Sequence, residues 1–116
     1  MSITLATLAD ATEQEVFTQV KEHLLKQNRC SYEHGTSSCV YKNNEGLKCA
    51  AGCLIADDEY SLSMENRDWR ALIRDRVVPK KHHELIKTLQ NIHDAVDAQH
   101  WSTALAGIAA QYGLTY

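Results

Sequence analysis

No apolar run approaches the ~18 residues that would suggest a membrane span. The first twenty residues also lack the basic stretch and the apolar core of about 7–15 residues that mark a secretory signal; Asp10, Glu13 and Glu15 stand where that core would lie. Both absences point to a protein with no membrane partner that stays in a reducing cytoplasm. There is no excess of positive charge: twelve Lys and Arg face fifteen Asp and Glu, a formal net charge of −3. A generic nucleic-acid binder carries the opposite sign, so nucleic acid is not the expected partner, and a DNA mimic would be far more acidic. The six histidines form no H-E-x-x-H pair. There is no internal repeat and no low-complexity linker. What is present is ordinary globular material, 116 residues with 44% apolar and 23% charged side chains, which reads as a single domain over residues 1–116.

Helical signals dominate. Thr12 with Glu15 three residues later is a capping-box signature, and Val16, Phe17, Val20, Leu24 and Leu25 then recur on one face, with Asn28 as the stop. Met64, Trp69, Leu72, Ile73 and Val77 approximate a second stripe, with Asp68 as a possible cap and Pro79, the only proline, ending it. Leu85, Ile86, Leu89, Ile92 and Val96 form a third. Trp101, Leu105, Ile108, Ala109 and Tyr112 form a fourth, closed by Gly113. Between the first two stripes, Cys39-Val40-Tyr41 and Leu47-Lys48-Cys49 flank Asn43-Asn44-Glu45-Gly46, whose Asn and Gly residues tolerate positive φ in tight turns. This predicts an antiparallel β-hairpin leaning on the helices, because an isolated hairpin is marginal in water. The expected fold is therefore α+β, a mostly helical domain of about four helices with one small hairpin.

The four cysteines are the distinctive chemistry. In a reducing compartment they are thiols, metal ligands or reactive groups rather than disulfides. A three-residue hairpin loop would set Cys39 opposite Cys49, and Cys53 lies on the same side as Cys49, so three sulfurs could converge. One reading is a structural zinc held by Cys39, Cys49 and Cys53 with Cys30 or His34 as the fourth ligand, although the spacing lacks the paired C-x2-C knuckles of familiar zinc sites. A second makes Cys49 a nucleophile with His93 as base and Asp94 beside it, a cysteine-dependent hydrolase or transferase. The third takes precedence: cysteine behaves as a small buried hydrophobe, and the run Ala50-Ala51-Gly52-Cys53 is small enough for a tight crossing of elements. On that reading there is no catalytic residue and no cofactor, and His93 is a hydrogen-bonded packing residue.

Charge is segregated along the chain. Residues 67–81 carry Arg67, Arg70, Arg74, Arg76, Lys80 and Lys81 against Asp68 and Asp75, a local +4, whereas residues 1–66 carry a local −5. Candidate contact surfaces are the basic stretch (Arg67, Arg70, Arg74, Lys80, Lys81) and the acidic turn (Asp57, Asp58, Glu59).

Several of these residues also carry a resemblance. Cys39-Val40-Tyr41, the run from Gly46 to Ile55, Asp57-Asp58-Glu59-Tyr60 and Met64-Glu65 resemble a family of small proteins of bacteriophages, prophages and bacteria with a C-x-Y…G-L-K-C-A-x-G-C-L-I-x-D-x-E-Y signature. Leu89-Gln90 with Ile92-His93-Asp94, and Trp101 with Leu105, Ile108 and Ala109, are similar to its C-terminal half. The likeness runs through most of residues 12–114, with Ala56 where that family usually has proline. It implies an accessory protein acting in the bacterial host's cytoplasm and implies no activity. With no complete catalytic constellation, the expected function is non-enzymatic binding of a host or phage macromolecule, most simply a protein; a zinc-stabilised interaction module is a further alternative.

Overall fold

Thr12 opens helix α1 (Glu13–Gln27). Its hydroxyl accepts the Glu15 N–H at 3.1 Å while the Glu15 carboxylate accepts the Thr12 N–H at 2.8 Å, so the capping box is complete; such a cap is worth ~1 kcal/mol. Val16, Phe17, Val20 and Leu24 are buried, and Leu25, at the edge of the expected stripe, is partly exposed. Asn28 ends the helix in the left-handed region, φ 51°. The computed structural model describes residues 2–32 and 39–116.

Three further helices follow: α2 (Trp69–Arg74), α3 (His83–Ala95) and α4 (Trp101–Tyr112). Among the described residues none is long and apolar enough to cross a membrane. Helix α3 packs on α4, α1 lies against both, and α2 rests on α3. Phe17, Leu24, Leu72, Leu85, Leu89, Trp101 and Leu105 meet in the buried interior. Helix α2 is shorter than its apolar spacing suggests. Asp68 starts it by accepting the Ala71 N–H at 2.8 Å, and Arg76 stops it at φ 61°. Met64 therefore reaches the core from a separate 3-10 turn (Leu62–Met64), and Val77 is left 40% exposed.

The α+β expectation is corrected here: the architecture is helical, and no strand forms among the described residues. The turn itself is real. Gly46 sits at φ 83°, Asn43 Oδ1 accepts the N–H groups of Glu45 and Leu47, and the Asn43 N–H meets the Leu47 carbonyl at 3.0 Å. Pairing then stops at a single bridge, Lys42 with Lys48, and one more isolated bridge joins Tyr32 to Cys39. Side chains have taken the backbone groups that a ladder needs. The Glu65 carboxylate accepts the N–H groups of Tyr41 and Lys42, Gln27 Oε1 accepts that of Lys48, and the Lys48 carbonyl takes Gln27 Nε2 and His23 Nε2. The register also differs. With Lys42 opposite Lys48, the residue facing Cys49 is Tyr41, whose carbonyl accepts the Cys49 N–H at 3.4 Å, and not Cys39.

Small residues still make the tight crossing, but between a 3-10 turn (Gly52–Leu54) and the segment at Tyr41 rather than between strand and helix. A Cβ on Gly52 would stand 2.1 Å from the Tyr41 carbonyl oxygen.

Candidate functional site

The polar edge of α3 holds Ser31 and Ala51, which lie between α1 and α2 in the chain. Gln90 Oε1 accepts the N–H of buried Ala51 at 2.9 Å, and its Nε2 donates to Asp94 Oδ1 at 2.8 Å. The same oxygen lies 2.8 Å from His93 Nδ1, and His93 Nε2 accepts the Ser31 N–H at 3.1 Å. Ser31 is fully buried and its hydroxyl donates to the Val40 carbonyl at 2.5 Å. One connected network thus ties Ser31 and Ala51 to a single helix edge.

His93, fully buried, stacks on Trp101 with ring centroids 5.6 Å apart, and Trp101 Nε1–H donates to the Val96 carbonyl at 2.8 Å. Its hydrogen bonds define its tautomer. The Ser31 N–H can donate only to an unprotonated Nε2, so in the neutral ring the proton is on Nδ1 and points to Asp94. That one fact bears on both chemical readings of the cysteines.

Cys39, His93 and Asp94 form the one group of three or more metal-ligand side chains among the described residues, their donor atoms within 4.8 Å of one another. This differs from the anticipated zinc set: Cys30, Cys49 and Cys53 join no such group, and His34 lies outside the described residues. Cys30 Sγ instead donates to the His93 carbonyl at 3.3 Å. A metal between Cys39, His93 and Asp94 would need a lone pair on Nδ1, where the proton sits; shifting that proton to Nε2 would set it against the Ser31 N–H. The ring is a poor ligand in this arrangement.

A cysteine nucleophile meets the same obstacle, because the imidazole lone pair already accepts the Ser31 backbone N–H. No hydrogen bond joins Cys49 to His93 among the described residues. Cys49 Sγ accepts the Gly52 N–H at 3.2 Å, and burial still raises its pKa. Burial and then the Asp94 charge push Cys39 up to about 12. Burial also takes Cys53 to about 12 against the pull of Lys48, while its thiol donates to the Ala50 carbonyl at 3.1 Å. Activated thiols show the opposite shift.

The two charged surfaces differ from each other. Asp57 receives Lys42 Nζ at 3.2 Å and Lys48 Nζ at 3.1 Å, and these bonds, Lys48 first, hold its carboxyl below the usual range. Glu59 accepts the N–H groups of Leu5, Ala6 and Ala56. Burial works to raise its pKa, and these bonds outweigh that and lower it. The acidic turn is thus largely a clamp, holding Lys42, Lys48 and the N-terminal segment, although the Asp57 side chain stays 75% exposed and Asp58 is exposed as well. In the basic stretch, Arg67 and Arg74 both pair with Asp75, at 3.0 and 3.6 Å. Arg70, Arg76, Lys80 and Lys81 form no ion pair among the described residues and are exposed.

Sequence reasoning marked Cys39, His93 and Asp94 but missed Ser31, Glu65 and Gln90. The spacing of Gln90 and Asp94, four apart on α3, was a readable hint. The roles of Ser31 and Glu65 left no local trace, because their partners lie up to 62 residues away.

Comparison with family models, with curated proteins and with solved structures finds no match to this chain.

Proposed function

We propose that the chain is a non-enzymatic accessory protein of phage or prophage origin. It acts in the bacterial cytoplasm by binding an acidic host or phage protein through the face made by α2 and residues 76–81. The observation that carries this reading is the division of charge. Four exposed cations in this stretch have no ion-pair partner among the described residues, while Asp57, Glu59 and Glu65 are engaged within the fold. Next to them, Arg76, Lys80, exposed Val77, Ile73 and Leu5 border a shallow groove of about 730 Å³. Its one acid, Glu59, is occupied by backbone N–H groups. Cations around a modest apolar floor fit a carboxylate-bearing protein surface. The net charge of −3 works against a polyanion such as nucleic acid at longer range. The resemblance of the residue pattern to that of phage and prophage proteins supports the setting.

The test compares wild-type protein with Arg70→Glu/Lys80→Glu as baits in bacterial extract at about 0.15 M salt. A discrete acidic partner should be retained by wild type and lost from the variant, which should melt at the wild-type temperature because both side chains are exposed. Identical retention by both baits, or no reproducible partner on wild type, would sink the proposal.

A further inference from the structure

Two helices of this domain close in the same way with different residues at the same place. After α4, the Gly113 N–H donates to the Ala110 carbonyl at 3.3 Å and the Leu114 N–H to the Ala109 carbonyl at 2.8 Å, with Gly113 at φ 67°. After α2, the Arg76 N–H donates to the Ile73 carbonyl at 3.0 Å and the Val77 N–H to the Leu72 carbonyl at 2.9 Å, with Arg76 at φ 61°. Both are Schellman closures, whose left-handed position is usually glycine because a Cβ is crowded there. Arg76 occupies it at a steric cost. Its side chain is exposed and makes no ion pair or hydrogen bond among the described residues to offset that cost. Backbone strain of this kind collects where a side chain serves a ligand.

The surroundings of Arg76 indicate what it meets. Arg76 and Lys80 border the groove of about 730 Å³, and Leu5, Val77, Val78 and Pro79 supply apolar surface beside them. Val77 holds the position whose side chain normally folds back on the helix, and it is nonetheless 40% exposed. Glu59, the one carboxylate of the groove, spends its oxygens on the N–H groups of Leu5, Ala6 and Ala56. The groove therefore offers two cations without an ion-pair partner among the described residues, next to aliphatic surface. A purely charged ligand would leave that surface wet, and a purely apolar one would strip water from unpaired cations.

We infer that Arg76 anchors this groove and that the groove holds a short linear segment of the acidic partner, an aliphatic side chain flanked by aspartate or glutamate. The inference rests on the proposed binding of an acidic protein and names the part of that protein which is read. The guanidinium takes one carboxylate in the two-pronged geometry that lysine cannot offer. Lys80 takes a second as a point charge, and the aliphatic side chain covers Val77. A groove of this size, within the ~300–1,000 Å³ range of ligand sites, suits a few residues of chain rather than a whole domain.

The experiment is an NMR titration of the ¹⁵N-labelled full chain at about 0.15 M salt with the peptide acetyl-Glu-Asp-Leu-Asp-Glu-amide. The backbone N–H signals of Val77 and Lys80 should move saturably. Acetyl-Glu-Asp-Ser-Asp-Glu-amide keeps the charge and loses the aliphatic group, acetyl-Gln-Asn-Leu-Asn-Gln-amide does the reverse, and each should bind about fivefold more weakly or worse. Arg76→Gly should melt at or above the wild-type temperature, because glycine suits the left-handed position, yet bind the leucine peptide at least about fivefold more weakly. Equal affinity for either analogue, unchanged affinity in Arg76→Gly, a lower melting temperature of that variant, or no saturable shift at Val77 and Lys80 would each overturn the inference. The two analogues, tested on wild type, decide the matter even if the variant does not fold. Failure here is distinct from failure of the broader reading. A partner retained by wild type, lost from Arg70→Glu/Lys80→Glu and held undiminished by Arg76→Gly would overturn the anchor and leave the acidic partner standing.

Discussion

Replacing Gly52 by alanine should be among the most damaging single-methyl changes available in this domain. The added Cβ would lie 2.1 Å from the Tyr41 carbonyl oxygen and 3.0 Å from its carbon, and both atoms are backbone. Neither side has room to yield. Tyr41 is held by its N–H on Glu65 and by its hydroxyl on the Arg67 carbonyl at 2.7 Å, with its ring against Trp69. The Gly52 turn is buried and is held by Ala51 on Gln90 and by the Ile55 N–H on the Gly52 carbonyl. Overpacking into such a site costs ~1–3 kcal/mol, and with backbone on both sides the upper end, ~3 kcal/mol, is expected. In a domain of this size that lowers the melting temperature by ~10–15 °C and removes a large part of a total stability of ~5–15 kcal/mol. Gly107→Ala is the matched control. It lies on an exposed face of α4 with no atom within 4 Å of the new carbon, and should stabilise by ~0.5–1 kcal/mol. Urea unfolding followed by far-UV circular dichroism and tryptophan fluorescence measures both variants. A loss below ~1 kcal/mol at Gly52, or equal losses at the two glycines, would refute the close-approach argument.

Three further outcomes follow from the same contacts. Cys39, Cys49 and Cys53 should resist iodoacetamide in the native protein at pH 8, where a thiol of pKa about 12 is ionised to only ~10⁻⁴; alkylation of any of them at the rate of a free thiol, read by peptide mass spectrometry, would contradict their packing role. Burial lowers the His23 pKa below its usual 6.5, so the unfolded chain takes up that proton first. Stability should therefore fall as pH drops below 6.5 and level off beneath the folded pKa, and His23→Gln should flatten that slope in urea midpoints measured against pH. Gln90→Ala would strand the buried Ala51 N–H and remove a donor from Asp94, for a loss of ~1–3 kcal/mol in urea unfolding; wild-type stability would show that the Gln90 bridge holds nothing.

The four helices were readable because their signals are local. The Thr12–Glu15 capping box, the α3 stripe from Leu85 to Ile92 and the Gly113 stop each lie within a turn or two of what they control. The asymmetry of charge between residues 1–66 and 67–81 was equally legible, and so was the tight turn at Asn43–Gly46. Tertiary structure alone decided what the stretch from Cys39 to Asp68 became. Its alternating residues and turn chemistry favour a hairpin, yet Gln27, His23 and Glu65 take the backbone groups that would have paired two strands. Ser31, Gln90, His93 and Asp94 then anchor the resulting loops to α3. Such partners are single polar side chains tens of residues apart, and unlike an apolar stripe they leave no period to read. The same long-range bonds place the imidazole lone pair of His93 on a backbone N–H, an arrangement that no line of letters displays.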